Sequence, residues 1–335
     1  MKTKKIKTQI IIFILTLIFL FLLSIFAPTK SLGFKDALRN FINFIFHKEY
    51  SKNAIIIIFQ IRLVRSLATI FCGASLSLSG LLLQAALNNT LASPGIIGVN
   101  SGAGLFVLLT SLIFPYIAYA KTLGSFCGAL LSVLSVYFIS KKAGISKTSL
   151  VLAGVAVSSL MTAGIDILIT IFPDIVVDKI SFSLGGFQNL LLQQFYFAVP
   201  VIIICVAISF FLANGIDLFE LGDETTYGLG LNVQAYRISS IIVAGILAGS
   251  AVSVCGILGF LGLIVPNLVR LLTKEKFKYK IILSILVGSS FLLLCDLLAR
   301  LLFFPYELPV GLILSCLGSP FFIYLLIHRK KRLEI

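Results

Sequence analysis

The chain has 335 residues, 59% of them hydrophobic and only 12% charged, with a mean hydropathy of +1.10 and a formal net charge of +14. Soluble domains carry about 25% charged residues, so this composition excludes a soluble globular protein and implies a polytopic membrane protein. The positive balance does not signal nucleic-acid binding, because the lysines and arginines sit in short clusters between apolar runs, which is the pattern of membrane topology.

Lys2 to Lys7 form a basic start before an apolar run at 10–26. That run is long for a signal-peptide core and no small-x-small cleavage site follows it, so it reads as a first span with the N-terminus inside. Phe34, Leu38, Phe41 and Ile45 then recur at helical spacing beside Lys35 and Arg39, which predicts an interfacial helix on the outer leaflet. Further apolar runs follow at 61–86, 96–117, 122–140, 149–171, 196–213, 237–256, 259–273, 281–302 and 309–327. A helix needs about 20 apolar residues to cross a bilayer. The expectation is therefore an all-α polytopic membrane protein of about ten transmembrane helices, one of them short, with both termini cytoplasmic. Most of the 27 lysines and arginines fall on the inner side so assigned. Residues 1–335 read as one transmembrane domain without an internal repeat.

The second and third spans are rich in small residues, including Gly73, Ser75, Ser77, Ser79, Gly80, Gly98, Gly102 and Gly104, which predicts close helix packing at the centre of a bundle. Gly256-Ile257-Leu258-Gly259 reads as a broken segment, tolerable at membrane depth only when buried in protein or lining a cavity. The six cysteines, at 72, 127, 205, 255, 295 and 316, form no CxxC pair and read as small buried residues. With two His and two Met, a path for bare soft metal ions is poorly supplied with ligands. Asp166 lies inside a span, where an acid faces a bundle interior or a wet cavity, or pairs with a polar neighbour. Asp296 and Arg300 share one helix face and can pair; alternatively Arg300 joins Arg62 and Arg65 in a positive outer rim for an acidic partner.

Residues 215–237 are the one long polar interruption in the second half of the chain, and four of its 13 acids cluster there: Asp217, Glu220, Asp223 and Glu224. Apolar residues flank them at helical spacing, which predicts two short amphipathic helices broken at Gly228 or Gly230. The chain has no GxxxxGK[ST] phosphate loop, no HExxH and no GxSxG, so it is expected to be no enzyme, and energy must enter from another chain. The acidic stretch is the expected entry point.

Five stretches in register carry a resemblance: RLVRSLATIFCGASLSLSGLLLQAALNNTLASPGIIGVNSGAG from Arg62, LVLAGVA from Leu150, LGDETTYGLGLNV from Leu221, GFLGLIVPNLVRLL from Gly259, and DLLAR followed by ELPVGLILSCLGSPFFIYLL from Asp296. Together they make the chain similar to the permease subunits of type II ATP-binding-cassette (ABC) importers, which carry iron–siderophore chelates, haem and cobalamin. The resemblance implies a permease homodimer or heterodimer in the bacterial cytoplasmic membrane, two cytosolic ATPase subunits that use ATP and Mg, and an extracytoplasmic substrate-binding protein. The permease itself would hold no cofactor and no metal. The resemblance further implies binding-protein docking by Arg62, Arg65 and Arg300, ATPase coupling by Leu221, Gly222, Asp223, Glu224, Leu229, Gly230 and Leu231, and gating by Asn89, Leu91 and Thr148. Asp166 becomes a candidate for the pathway. The chain departs from the family pattern at Thr90, where Pro is usual, at Ile257, and at Asn267, where His is common. The cargo expected is an iron chelate, iron–siderophore first, moved by alternating access. The alternative is an ion-coupled secondary transporter of a small metabolite, which would need no coupling segment.

Overall fold

The computed structural model describes residues 2–28, 32–47, 49–117, 119–143, 146–188, 190, 192–219, 226, 228 and 232–330. The described elements are helical throughout. Helices α1 (Lys2–Phe26) and α2 (Phe34–Ile45) are followed by α3 (Lys52–Ile56), which continues through a π-helical stretch (Ile57–Arg62) into α4 (Leu63–Ala86). A 3-10 turn (Pro94–Ile97) leads to α5 (Val99–Ile113), α6 (Ala120–Lys142), α7 (Lys147–Ile171) and the short α8 (Val176–Leu184). Then come α9 (Leu192–Phe219), α10 (Val233–Cys255), α11 (Leu261–Leu272), α12 (Phe277–Leu301) and α13 (Val310–Lys330). Among the described residues, seven helices are long and apolar enough to cross a membrane, and three shorter apolar ones, Val99–Ile113, Leu261–Leu272 and Val310–Ile323, accompany them. The apolar run expected to begin at 61 belongs to a longer helical rod that starts at Lys52.

Helix α4 is the hub, packing against α9, α10, α11 and α12. Its small residues explain why. Gly73 faces the backbone at Gly288 of α12, and Gly80 lies so close to Gly262 of α11 that a Cβ there would overlap its carbonyl. The hydroxyls of Ser75 and Ser79 donate to the carbonyls of Leu247 and Ala244 on α10, at 2.8 and 2.6 Å, and Ser77 donates to Ser284 on α12 at 2.8 Å. Lipid supplies no hydrophobic drive between helices, so close backbone packing and such interhelical hydrogen bonds take its place, each worth about 0.6 kcal/mol. The core of the bundle is accordingly α4 with α10 and α12, whose spans are 72% and 67% buried, whereas α1 and α7 are each 17% buried and lie at its edge.

The broken segment expected between two spans is present. Gly256 and Phe260 adopt positive φ of 68° and 64°, and the backbone freed there is satisfied by the end of α8: Ile257 N–H donates to Phe182 O at 2.9 Å and Gly186 N–H to Cys255 O at 2.8 Å. This is irregular backbone made tolerable by burial in protein. Of the six cysteines, those at 72, 205, 255 and 295 are buried as expected, while Cys127 and Cys316 are exposed on the outside of the chain.

Candidate functional site

The three arginines expected at a positive outer rim are brought together by the structure, in a buried network. Arg62, Arg65 and Arg300 are 1%, 8% and 3% exposed. The fully buried carboxylate of Asp296 takes Arg65 on one oxygen and Arg300 on the other, each at 2.9 Å. Arg65 also reaches Glu307 at 2.8 Å. Arg300 donates to the Ser24 carbonyl at 3.3 Å and to its hydroxyl, which lies 2.6 Å from the Ser66 hydroxyl. Arg62 donates to the carbonyls of Ile25 and Leu32 at 3.1 and 2.9 Å. Within the chain the three arginines thus form an internal network, as expected of charges at the end of a lipid-facing bundle, which are cheapest when paired and bonded. The pairing of Asp296 with Arg300 along one helix face is the geometry observed. Glu307 and Ser24, which complete the network, had no helical spacing to mark them: Glu307 lies in the stretch between α12 and α13 and Ser24 on α1, each far in sequence from the arginine it bonds.

Asp166 is exposed on α7 and lies 3.5 Å from Lys179 of α8, itself 42% exposed at its side chain. The acid has the polar neighbour foreseen for it, and its exposure adds a second feature. Ser159, Thr162, Asp166 and Thr170 are all exposed and fall at intervals of three or four residues, so a polar stripe runs along one side of α7. Thr162 and Thr170 donate to carbonyls one turn back, at 2.8 Å, which lowers the cost of hydroxyls in a span. Beside the stripe is an open cleft of about 240 Å³, lined among others by Asn100, Ser101, Thr162, Lys179 and Ser183.

The residues expected to gate lie at one end of α4 and α7. Asn89 and Leu91 are exposed in the loop after α4, where the Asn89 side chain accepts the Leu91 N–H at 3.0 Å. Thr148 is exposed in the first turn of α7, which begins with a reciprocal capping box of Ser146 and Ser149. The loop and α7 touch at Gly154, where a Cβ would overlap the Ile96 carbonyl. Two of the three departures from the family pattern meet: Asn267 of α11 donates to the Thr90 carbonyl at 3.2 Å and to the Leu263 carbonyl at 2.8 Å.

The coupling residues Leu221, Gly222, Asp223, Glu224, Leu229, Gly230 and Leu231 lie outside the described residues, but both roots of the segment are fixed. At the first root, Gly215 of α9 lies against the ring of Tyr236 on α10, too close for any Cβ, and the Asp217 carboxylate accepts the Phe277 N–H at 2.6 Å, holding the start of α12. At the second, the Asn232 side chain caps α10 by accepting the Ala235 N–H at 3.0 Å. One turn on, buried Arg237 donates to the Ala86 carbonyl at 3.0 Å. Ala86 is the last residue of α4, directly before the loop of Asn89 and Leu91. Neither Tyr236 nor the Arg237 contact carried a motif in the sequence.

Residues 16–328 match the FecCD transport family. The chain is 35% identical over 320 residues to an Fe(3+)-citrate import system permease protein of Bacillus subtilis, covering 95% of both chains. It is 32% identical over 279 residues to a hemin transport system permease protein of Yersinia pestis, covering 82% of this chain and 84% of that one. Among solved structures it is similar to a metal-chelate type ABC transporter in an inward-facing conformation, with a TM-score of 0.84 at 25% identity, covering 96% and 99% of the two chains.

Proposed function

The chain belongs to the FecCD transport family, and on that premise we propose how its parts divide the work of import. It is a multi-pass membrane protein and the permease subunit of an ABC importer for iron chelates. The rival reading, a secondary transporter driven by an ion gradient, receives no support from these relatives. The finer assignments are ours. The seven long and three shorter apolar helices act as about ten spans of the bacterial cytoplasmic membrane, with both termini in the cytoplasm. The cargo is an iron–siderophore chelate, in keeping with the ferric citrate and hemin of the relatives' names and with a chain that has only two His and two Met to bind bare ions. Two copies, identical or paired with a sister permease, enclose the passage. The polar stripe of α7 with Asp166 faces it.

ATP and Mg act on two partner ATPase subunits, so the permease performs no phosphoryl chemistry. Those subunits engage residues 221–231, and the observation that carries the mechanism is the bond from Arg237 to the Ala86 carbonyl. It joins the root of the coupling segment to the helix end that leads into Asn89 and Leu91, so displacement of one moves the other. Coupling then requires only that the docked ATPase bind the two permease states with different free energies. On the opposite side, an extracytoplasmic binding protein docks over Arg62, Arg65 and Arg300. Arg65 is the most accessible of the three, and Glu307 is the group it would exchange for an acid of the partner.

Uptake of radioiron chelate into proteoliposomes tests the reading. Uptake that needs the ATPase subunits, ATP and the loaded binding protein supports it. Uptake driven by a proton or sodium gradient without ATPase refutes it.

A further inference from the structure

Helix α2 carries an apolar arc that the chain covers only in part. At about 100° per residue, Phe44, Ala37 and Phe41 fall on one side of α2, and Phe34, Ile45, Leu38 and Ile42 continue directly from them. The first side is used within the chain: Ala37 is fully buried, Phe41 lies 5.4 Å from Phe26 of α1, and Phe44 lies 5.8 Å from Phe59. The second side is largely open: the Phe34 ring still meets Phe26 edge-on, but Phe34, Leu38, Ile42 and Ile45 are exposed by 46%, 38%, 44% and 54%. Lys35 and Arg39 come next around the helix after Ile42 and are exposed; Asn43, Asp36 and Asn40 complete the polar face.

The position of α2 decides what covers the open side. The buried Arg62 spans the turn between α1 and α2 by donating to Ile25 and Leu32, which holds α2 at the end of the first span. That span exposes Ile18, Phe19, Leu22 and Leu23 toward its end, and Phe59 and Ile61 extend the exposed apolar surface on the rod leading into α4. The open side of α2 is therefore continuous with a surface that faces acyl chains, and its border carries two cations where a bilayer carries phosphates.

We propose that α2 is an interfacial anchor. Phe34, Leu38, Ile42 and Ile45 lie among the upper acyl chains of the leaflet reached by the end of α1, and Lys35 and Arg39 bind the phosphates of anionic phospholipid headgroups. Under the topology proposed above this is the outer leaflet; the anchor itself does not depend on that assignment. Other occupants, a second copy or an external partner, would shield the stripe from lipid, and the test below separates them.

The test uses the full-length permease in nanodiscs, with Cys127 and Cys316 replaced by Ser and an environment-sensitive fluorophore on Ile42→Cys or Asn43→Cys. The Ile42 probe is expected to be quenched severalfold more by lipids spin-labelled near the headgroup than by aqueous iodide, and the Asn43 probe the reverse. Equal iodide quenching of both probes overturns the proposal. So does an Ile42 probe shielded from both quenchers, which would reveal a protein surface over the stripe. Phosphatidylglycerol added to phosphatidylcholine discs should reduce iodide access at Ile42, and the pair Lys35→Glu and Arg39→Glu should abolish that reduction. No response to phosphatidylglycerol overturns the headgroup assignment.

Discussion

Asp296→Asn perturbs the carboxylate at the centre of the buried arginine network. The native carboxylate is fully buried and holds Arg65 and Arg300 at 2.9 Å on its two oxygens. Asparagine keeps the shape and removes the charge, and the two guanidiniums are then left in unequal positions. Arg65 retains Glu307 at 2.8 Å, whereas the other contacts described for Arg300 are to the neutral Ser24 oxygens and its own helix carbonyl. Removing one partner of a buried ion pair costs about 3–5 kcal/mol, most of it from the stranded charge. The loss should therefore fall in that range and be carried mainly by Arg300. Adding Arg300→Met should restore at least half of it, while Arg65→Met should restore less, because it strands Glu307 in turn. The assay is reversible unfolding in mixed micelles titrated with a denaturing detergent. It is followed by circular dichroism, since the chain has no tryptophan to report. An Asp296→Asn variant within about 1 kcal/mol of the parent, the range of exposed pairs, would refute the reasoning, as would Arg65→Met proving the better rescue.

Three further outcomes are expected. Gly80→Val would drive a side chain into the Gly262 backbone, and overpacking of this kind costs about 1–3 kcal/mol or more; size-exclusion of the detergent-solubilised protein should show loss of the folded species, while Gly259→Ala, in open space, should not. Asn267→Ala removes the bond to the Thr90 carbonyl, a change of about 1 kcal/mol, and amide exchange in residues 87–92 should quicken while α4 itself stays protected. Lys179→Met removes an exposed partner of Asp166 worth at most about 1 kcal/mol, so the melting temperature should hold while chelate uptake changes; unchanged uptake would take this pair out of the pathway.

The membrane fold was legible because composition and run length report directly on bilayer thickness, and the apolar runs coincide with helices throughout. The small residues of α4 likewise marked the centre of the bundle, since only close packing explains so many glycines and serines in one span. The arginines were legible as a group but not in their state. Charge counting sees which side of the membrane a residue lies on, whereas burial depends on Asp296, Glu307 and Ser24 arriving from other elements. The same limit hid Tyr236, whose importance comes from the absent side chain of Gly215 on a neighbouring helix. Asp166 stood out as a lone acid in a span, but Lys179 did not, because a lysine between spans looks like any other topological charge.

The hydroxyl contacts of α4 also constrain how the protein is made. Ser75, Ser77 and Ser79 bond to carbonyls 172, 207 and 165 residues further along the chain. At about 5–20 residues per second, ribosomes need roughly 10 to 40 s to produce those partners. During that interval the helix destined for the centre is already in the membrane with its glycine and serine face uncovered. It must satisfy its hydroxyls locally, on carbonyls of its own preceding turn, or remain beside the insertion machinery until α10 and α12 emerge. The innermost helix is thus among the first to be inserted yet waits long for its neighbours, and truncated chains ending before α10 should be marked for degradation by that same exposed face.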